Sequence, residues 1–311
     1  MSFRIFAIAF TLAGSACSER ALPIPPSAQG VIDDTDNLVE TKTPPVRIVS
    51  LIPSATQLLV AMGAAGRVIG RTAYDSEPEL REALVISGTL APSAEVVLAL
   101  RPDLVIAWPQ GGSASLIGDL RRVGVPVYAS NPQSIADIRS TARRLGDLLW
   151  LRSKADSVDV ALTTRLTALH AVVAGRPRPT VFYALWATPP YTVGPGSHVD
   201  EIIRLAGGRN VFSDLPAAWS EVSLEELVKR DPDFIVIPED SRRVASDGWL
   251  QQAAGWRGLR AVQERRVVRV SSDLFNRPGP WVDEAVEVLA AALHPDAVPL
   301  RAEAGNAADP H

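Results

Sequence analysis

The chain has 311 residues, of which 47% are hydrophobic and 21% are charged, so it is long enough for two folded α/β domains. Its formal net charge is −4, and no stretch is basic enough to neutralise a phosphate backbone. These properties favour a globular protein and argue against a nucleic-acid partner.

The first residues have the pattern of an export signal. Arg4 supplies the only positive charge, residues 5–13 form an apolar run, and residues 14–16 are small. This run is too short to span a bilayer, which takes about 20 apolar residues. We therefore expect residues 1–16 to be a signal peptide, and the mature protein to be periplasmic.

Cys17 follows the small residues and is the only cysteine, so no intrachain disulfide can form. Its position resembles that of the lipidated cysteine of bacterial lipoproteins, although Gly14 stands where that motif usually has leucine. Two interpretations stay open: a lipid anchor on Cys17, or a plain cleaved signal followed by an incidental thiol.

Residues 17–45 predict a disordered tether. They contain five prolines, an acidic run at 33–36 and little periodic apolar content. A flexible coil of this length has an end-to-end distance of roughly 30 Å, enough to hold a folded body away from a membrane.

Two parts of the chain repeat one pattern. Residues 93–107 and 223–237 each contain a serine two positions before a glutamate, an apolar helical run, Pro-Asp and a β-branched run. Residues 54–69 and 197–212 form a second pair in the same order. The repeats predict two related lobes.

Strands and helices alternate over residues 46–150, which predicts a parallel, doubly wound first lobe. The helix at 54–62 is expected to open with an S-x-x-Q capping box. The other predicted elements are strands at 47–51, 68–70, 104–107 and 125–128, the helix of the first repeat, and a helix near 113–123.

A single amphipathic helix is predicted within residues 151–176. Residues 153–174 lack glycine and proline, and their apolar side chains recur at spacings of three and four. A helix of about 30 Å can run along both lobes as a rigid strut. Residues 177–295 then repeat the strand and helix pattern as a second lobe, and residues 296–311 predict a disordered polar tail.

No catalytic motif is present: the chain lacks a G-x-S-x-G elbow, a P-loop and a G-x-G-x-x-G turn after a strand. A metal site between the lobes would need several histidines or carboxylates, but the four histidines are scattered and only His198 lies in a plausible loop. We therefore expect neither enzymatic activity nor a metal site. A two-lobed transferase-type enzyme stays as the alternative from another class.

Aromatic residues follow several predicted strands, where open α/β sheets bind ligands. Tyr74, Trp108, Tyr191 and Trp219 lie in predicted loops between the lobes, and glycines at 111–112 expose the backbone. Aromatic planes beside exposed backbone suit a large, flat, partly apolar ligand. The pattern predicts a ligand cleft between the lobes.

Six segments in order resemble the cobalamin (vitamin B12) substrate-binding proteins of ABC importers, a group that extends to haem and iron–siderophore binders. The segments are RIVSLIPSATQLLVAMG, RPDLVIAWPQGG, PPYTVG, LAGGRNVF, WSEVSLEEL and SSDLFNRPGP. The resemblance covers residues 46–294. It implies two α/β lobes joined by one long helix, little closure, no cofactor, cobalamin as the transported ligand, and a monomer that docks on two-fold symmetric membrane subunits.

The resemblance also implies roles for single residues. Thr89 and Leu274 depart from it, because the cobalamin binder has tryptophan at both positions. No matched position supplies a histidine, so cobalt ligation by the protein is not expected. The implied corrin-binding residues are Tyr74, Trp108, Tyr191, Trp219, Asp273 and Arg277.

Glu95 and Glu225 match the two acidic positions that dock on basic residues of the transporter. Both also stand in the first turn of a predicted helix, where an acidic side chain simply stabilises the helix dipole. Within the same class, a haem or iron–siderophore ligand is the alternative. A siderophore site would need more cations in the cleft than Arg71 and Arg277.

Overall fold

A computed structural model describes residues 29–88, 92–187, 189–239, 250 and 255–298. The protein consists of two α/β lobes joined by a long helix, with a cleft lined by residues of both lobes. The predicted fold class, two doubly wound lobes with parallel sheets, is confirmed. The predicted signal peptide, Cys17 and Thr89 lie outside the described residues.

An N-terminal hairpin precedes the first lobe and corrects one expectation. Strands β1 (Gln29–Ile32) and β2 (Leu38–Thr41) pair in antiparallel fashion, and Val31 and Val39 are buried in the core of the first lobe. In the turn, the Asp33 carboxylate accepts hydrogen bonds from the backbone N–H groups of Thr35 and Asn37. The prediction of a disordered tether is therefore wrong from residue 29 onward, because the alternating valines bury apolar surface.

The first lobe contains a five-stranded parallel sheet in the order β5-β4-β3-β6-β7. Helices α1 and α4 cover one face of the sheet, and α2 and α3 cover the other. Its strands are β3 (Ile48–Ser50), β4 (Val68–Thr72), β5 (Leu84–Ser87), β6 (Leu104–Ala107) and β7 (Val127–Ala129). Its helices are α1 (Pro53–Ala61), α2 (Ala94–Ala99), α3 (Ser113–Arg122) and α4 (Ile135–Leu148).

The chain winds away from β3 in both directions, so the order reverses between β3 and β6. The loops after these two strands consequently diverge and leave a crevice at the sheet edge. Helix α1 begins at Pro53, whose fixed φ suits the first helical position, and its N-cap residue makes no side-chain bond. The predicted capping box is wrong, because the N-cap is Ile52 and Ser54 is already the second residue of the helix.

The connecting helix α5 (Arg152–Val173) has 22 residues and contacts both lobes. Ala155 packs into the core of the first lobe, whereas Leu162 and Leu166 pack into the core of the second. On the first lobe's side, Arg139 of α4 bonds Asp159, with Nη2 3.1 Å from Oδ2. The helix thus joins the lobes through packed side chains along its length.

The second lobe contains a four-stranded parallel sheet in the order β11-β8-β13-β14 and a three-stranded antiparallel sheet in the order β12-β10-β9. The antiparallel sheet was not predicted. The strands are β8 (Thr180–Tyr183), β9 (Trp186–Ala187), β10 (Pro190–Val193), β11 (Arg209–Asn210), β12 (Trp219–Glu221), β13 (Phe234–Glu239) and β14 (Val267–Ser271). The helices are α6 (His198–Leu205), α7 (Leu224–Arg230), α8 (Arg260–Gln263), α9 (Ser272–Phe275) and α10 (Val282–Leu293).

The end of the second lobe differs slightly from the prediction. Val298 is buried in the core that α5, α6 and α10 share, and its N–H donates to the His294 carbonyl at 3.1 Å. The predicted disordered tail therefore cannot begin at 296, and residues 299–311 lie outside the described part. Among the described residues, no helix is both long enough and apolar enough to cross a membrane.

Candidate ligand-binding cleft

A cavity of about 610 Å³ lies between the lobes. On the first lobe it opens at the carboxyl ends of β3, β6 and β7, and on the second lobe it faces α6, β12 and α9. This volume falls within the range of small-molecule sites. Its wall consists of Ile52, Pro53, Ser54, Tyr74, Trp108, Ser130, Asn131, Pro132, Gln133, His198, Trp219, Ser272, Asp273, Asn276, Arg277 and Pro278.

Trp108 is, with Tyr74, one of the two aromatic residues in the first lobe's part of the wall. It follows β6 directly and is half-buried. Its indole Nε1 donates to Asn131 Oδ1 at 3.1 Å, and Gln133 Nε2 donates to the same oxygen at 2.8 Å. One amide oxygen thus holds both an aromatic ring and a second amide in the wall.

Trp219 and His198 form the corresponding part of the second lobe's wall. Their ring centroids lie 6.4 Å apart with an interplanar angle of 53°. Burial lowers the pKa of His198 to about 4, so the imidazole is neutral near pH 7. Its Nε2 lies 2.9 Å from the Phe275 carbonyl oxygen. Because a carbonyl oxygen only accepts, this hydrogen bond requires the tautomer with the proton on Nε2.

Asp273 and Arg277 bring charge to the wall and link the lobes. Arg277 Nη2 donates to Asp273 Oδ1 at 2.6 Å and to the Tyr74 carbonyl of the first lobe at 2.9 Å. The Arg277 side chain is 12% exposed, whereas Asp273 is 49% exposed. The carboxylate therefore remains accessible to donors of a ligand while the guanidinium is largely engaged.

Two further bonds hold the lobes together behind the cavity. The His198 N–H donates to the Gln133 carbonyl at 2.7 Å, and the Ile135 N–H at the start of α4 donates to Glu201 Oε2 at 2.6 Å. The first bond joins the backbones of the lining residues Gln133 and His198 directly, and the second lies two residues after Gln133. Together they hold both lining residues in place.

Five of the six predicted ligand residues lie in the cavity wall: Tyr74, Trp108, Trp219, Asp273 and Arg277. Tyr191 does not, and it lies on β10 instead of in a predicted loop. Because Tyr191 pairs with Glu221 and Val193 pairs with Trp219, Tyr191 and Trp219 point to the same face of the antiparallel sheet. Tyr191 therefore lies two residue pairs along the ladder from Trp219, outside the wall.

Arg71 was expected to face the cleft, and this expectation is wrong. Its guanidinium donates to the backbone carbonyls of Leu80, Thr72 and Asp75 at 3.2, 3.3 and 2.6 Å. These bonds fix the loop that carries Tyr74. Leu274 is partly buried against the second lobe's core, so the tryptophan that it replaces in the resemblance has no counterpart in this wall.

Sequence reasoning missed the polar part of the first wall. Residues 130–133 follow β7 as Trp108 follows β6, so the same rule about strand ends would have found Asn131 and Gln133. The sequence pattern indicates His198 only as a candidate metal ligand, whereas the structure places it in the cavity wall. No group of three or more potential metal-ligating His, Cys, Asp or Glu side chains occurs in the described part of the chain.

Glu95 and Glu225 are not part of this wall and lie in the first turns of α2 and α7. Both are exposed. The backbone N–H of Glu95 and the Ser93 hydroxyl hold the pKa of Glu95 below its ordinary value, so this carboxylate is charged near neutral pH. In α7, Ser223 accepts a hydrogen bond from the Glu226 N–H at 3.0 Å, which caps the helix.

Comparison with known proteins identifies relatives over most of the chain. Residues 48–274 match the sequence model of a family described as "Periplasmic binding protein". The chain is 32% identical to a "Vitamin B12-binding protein" of Vibrio parahaemolyticus over 80% of this chain and 90% of that protein. It is 30% identical to an uncharacterised "ABC transporter substrate-binding lipoprotein", YvrC of Bacillus subtilis, over 85% of each chain.

The fold is also similar to that of a solved periplasmic haem-binding protein from Pseudomonas aeruginosa. The two structures align with a TM-score of 0.73 at 26% identity, over 83% of this chain and 95% of the other. Relatives of different ligand class therefore share this two-lobed scaffold, and the wall residues have to distinguish between ligands.

Proposed function

Because this chain belongs to the periplasmic binding protein family and is a solute-binding protein of an ABC transporter, we propose that its solute is cobalamin or a related corrinoid. The observation that carries the proposal is the wall of the cleft. Trp108 and Trp219 supply aromatic rings from opposite lobes, and amide and charged side chains lie beside them. Membership of this family also favours solute binding over the transferase alternative.

The polar groups of the wall suit the amide-rich periphery of a corrin. Asp273 is accessible and can accept from ligand N–H groups, and the amides of Gln133 and Asn276 can donate and accept. A ligand that extends beyond the cavity along the antiparallel sheet would reach Tyr191, which keeps this residue in the proposed contact set.

Delivery to the importer is proposed to use the exposed Glu95 and Glu225. They occupy equivalent positions in the two repeats, so a monomer can offer similar acidic contacts to two membrane subunits related by a two-fold axis. Helix capping alone is the competing explanation, and it predicts a stability loss without a transport defect.

A haem ligand is the second candidate, and His198 is the observation that favours it. This imidazole lines the cavity, and the similar structure from P. aeruginosa is a haem-binding protein. Against it, His198 is buried and its Nε2 already lies 2.9 Å from the Phe275 carbonyl oxygen. Coordination of haem iron by Nε2 would require that contact to break.

A parallel titration tests the proposal. Purified protein is titrated with cyanocobalamin, haemin and a ferric hydroxamate, and binding is followed by calorimetry and by absorbance of each ligand. We expect cyanocobalamin to bind most tightly. Preferential haemin binding with an absorbance change that His198→Ala abolishes would reject the corrinoid in favour of haem.

Membrane anchoring through Cys17 is proposed separately. The position of Cys17 after small residues supports it, and one similar protein is named a lipoprotein. The expected result is that the mature protein fractionates with membranes and that Cys17→Ser releases it into the soluble fraction. A wild-type protein that is already soluble after cell fractionation would reject the anchor.

A further inference from the structure

We propose that Asp34, in the turn of the N-terminal hairpin, is a positioning residue that sets the orientation of Trp108 through Asn131. Asp34 is not one of the residues that line the cavity. The part of this inference that concerns affinity rests on the proposed function, whereas the part that concerns the Trp108 ring does not.

The hairpin is docked firmly on the first lobe. Val31 and Val39 are buried in the core that includes α4, and the buried Thr41 hydroxyl donates to the Leu148 carbonyl at 2.9 Å. Arg144 of α4 reaches the turn, where its Nη2 donates to Asp34 Oδ1 at 2.6 Å. Only 19% of the Asp34 side chain is exposed.

The turn of the hairpin is bonded to the end of β7. The Asp34 N–H donates to the Ala129 carbonyl at 3.1 Å. In return, the Ala129 N–H donates to Asp33 Oδ2 at 3.1 Å, and Asp33 also pairs with Arg121. The hairpin therefore holds the last residue of β7, immediately before the chain enters the cavity wall.

A chain of hydrogen bonds continues from this point to the ring. The Asn131 N–H donates to Asp34 Oδ2 at 2.6 Å. The side chain of the same Asn131 accepts from Trp108 Nε1 at 3.1 Å. One carboxylate oxygen thus fixes the backbone from which the acceptor of the indole projects, while the other oxygen is held by Arg144.

Charge makes this link stronger than an ordinary turn contact. A hydrogen bond from a backbone N–H to a carboxylate is about twice as strong as one between neutral groups. Without it, the Asn131 backbone N–H loses its bond to the hairpin, and the side-chain oxygen opposite Trp108 is held only through Gln133, whose Nε2 donates to it at 2.8 Å. The ring would lose its orientation before any ligand arrives, and binding would have to restore it.

The competing explanation is that Asp34 only stabilises the hairpin. Three variants distinguish the two explanations. Asp34→Ala removes the acceptor for Asn131, and Asp34→Asn keeps one acceptor oxygen. Thr41→Val removes a different anchor of the same hairpin and leaves Asp34 untouched.

The first measurement needs no ligand. The chain has seven tryptophans, so a proton–nitrogen correlation spectrum resolves a small set of indole N–H signals, and Trp108→Phe identifies the one from Trp108. We expect Asp34→Ala to shift or broaden that signal, Asp34→Asn to restore it in part, and Thr41→Val to leave it unchanged. An unchanged Trp108 signal in Asp34→Ala would overturn the proposal.

The second measurement is a double-mutant cycle with cyanocobalamin as the probe. Asp34→Ala is expected to weaken binding about fivefold in the wild-type background, the effect of one hydrogen bond, and less than about twofold in Trp108→Phe. Equal losses in both backgrounds would overturn positioning through the indole N–H. If wild-type protein binds no cyanocobalamin, the corrinoid assignment fails, and the indole signal alone decides the role of Asp34.

Discussion

On the outer surface of the two lobes, α2 and α7 each begin after a serine and carry an exposed glutamate in the first turn. The faces that meet at the cleft share no such pattern. The first lobe presents residues that follow parallel strands, whereas the second adds Trp219 from an antiparallel sheet and His198 from a helix start to the residues that follow the parallel strand β14. Matching outer faces suit a two-fold symmetric partner, and different inner faces suit a ligand without that symmetry.

The largest expected effect tests the inner faces. Trp108→Ala and Trp219→Ala should each weaken cyanocobalamin binding by about 1–3 kcal/mol if each ring is a buried anchor. The double mutant should bind more weakly than either single mutant, but the two losses should not simply add, because both rings contact the same ligand. Calorimetry measures the affinities, and circular dichroism checks that each variant is folded.

Tyr191→Ala is the matched variant for this pair. Tyr191 lies on the same sheet face as Trp219 but outside the cavity wall, so its loss should be smaller than that of Trp219. Equal losses would mean that the ligand extends well along the antiparallel sheet. Unchanged affinity in both Trp108→Ala and Trp219→Ala would remove the two rings from the site.

The next effect tests the outer faces. Glu95→Arg and Glu225→Arg should leave ligand affinity nearly intact and weaken binding to the membrane transporter about tenfold or more, because cation then faces cation. The double mutant should be worse in both transporter binding and uptake. Glu40→Arg makes the same change in net charge on the hairpin, which packs on the opposite side of the first lobe's sheet from α2.

The glutamates could instead act only as helix caps. In that case Glu95→Arg and Glu225→Arg would lower the melting temperature and leave transporter association at the wild-type level. Such a result would reject the docking role and leave the symmetry of the outer faces without a partner.

A smaller effect concerns the polar link between the lobes. Arg277→Ala removes donors to Asp273 and to the Tyr74 carbonyl, so both stability and ligand affinity should fall, by about 1–2 kcal/mol each. Arg277→Lys should recover part of the loss, since one ammonium can reach one of the two acceptors but does not reproduce the fork. If Arg277→Ala lowers stability alone, the residue links the lobes without contacting the ligand.

The smallest effect compares two ion pairs of α5, one with Arg139 of α4 and one with Asp283 of α10. A hydrogen bond from Arg139 holds the pKa of Asp159 below its ordinary value, whereas burial raises the pKa of Asp283 despite the opposing charge of Arg165. The stability from Asp159 is present above its unfolded pKa and lost as pH falls through the folded value. For Asp283 the favourable contribution is present below the unfolded pKa and lost as pH rises through the folded value.

We therefore expect Asp159→Asn to lower the free energy of unfolding at neutral pH by at most about 1 kcal/mol. Asp283→Asn should not lower it there, because Glu287 still pairs with Arg165 at 2.8 Å. Denaturation curves between neutral pH and about pH 3.5 check both, and the difference between Asp159→Asn and wild type should shrink on acidification. A pH-independent difference would contradict this assignment.

Much of the cleft was predictable because the rule about strand ends needs only local pattern. Trp108 follows a buried run of β-branched and aliphatic residues, and the structure places it in the wall. Tyr191 and Trp219 were assigned to loops, because three short strands of mixed composition have no clear period-two pattern. For Trp219 the predicted position at the cleft agrees with the cavity wall, but the predicted loop is in fact strand β12.

The two lobes, the connecting helix and the matching positions of Glu95 and Glu225 could be read from the sequence, since each depends on local periodicity or on a repeated local pattern. Three features became visible only in the folded structure. Residues 29–41 form a hairpin, the Arg71 guanidinium bonds backbone carbonyls, and Asp34 bonds Asn131 of the cavity wall. The contacts of the hairpin with the first lobe join residues distant in sequence, whereas those of Arg71 depend on how the loop after β4 folds. A proline-rich, acidic segment gives no local sign of the core that will bury its two valines.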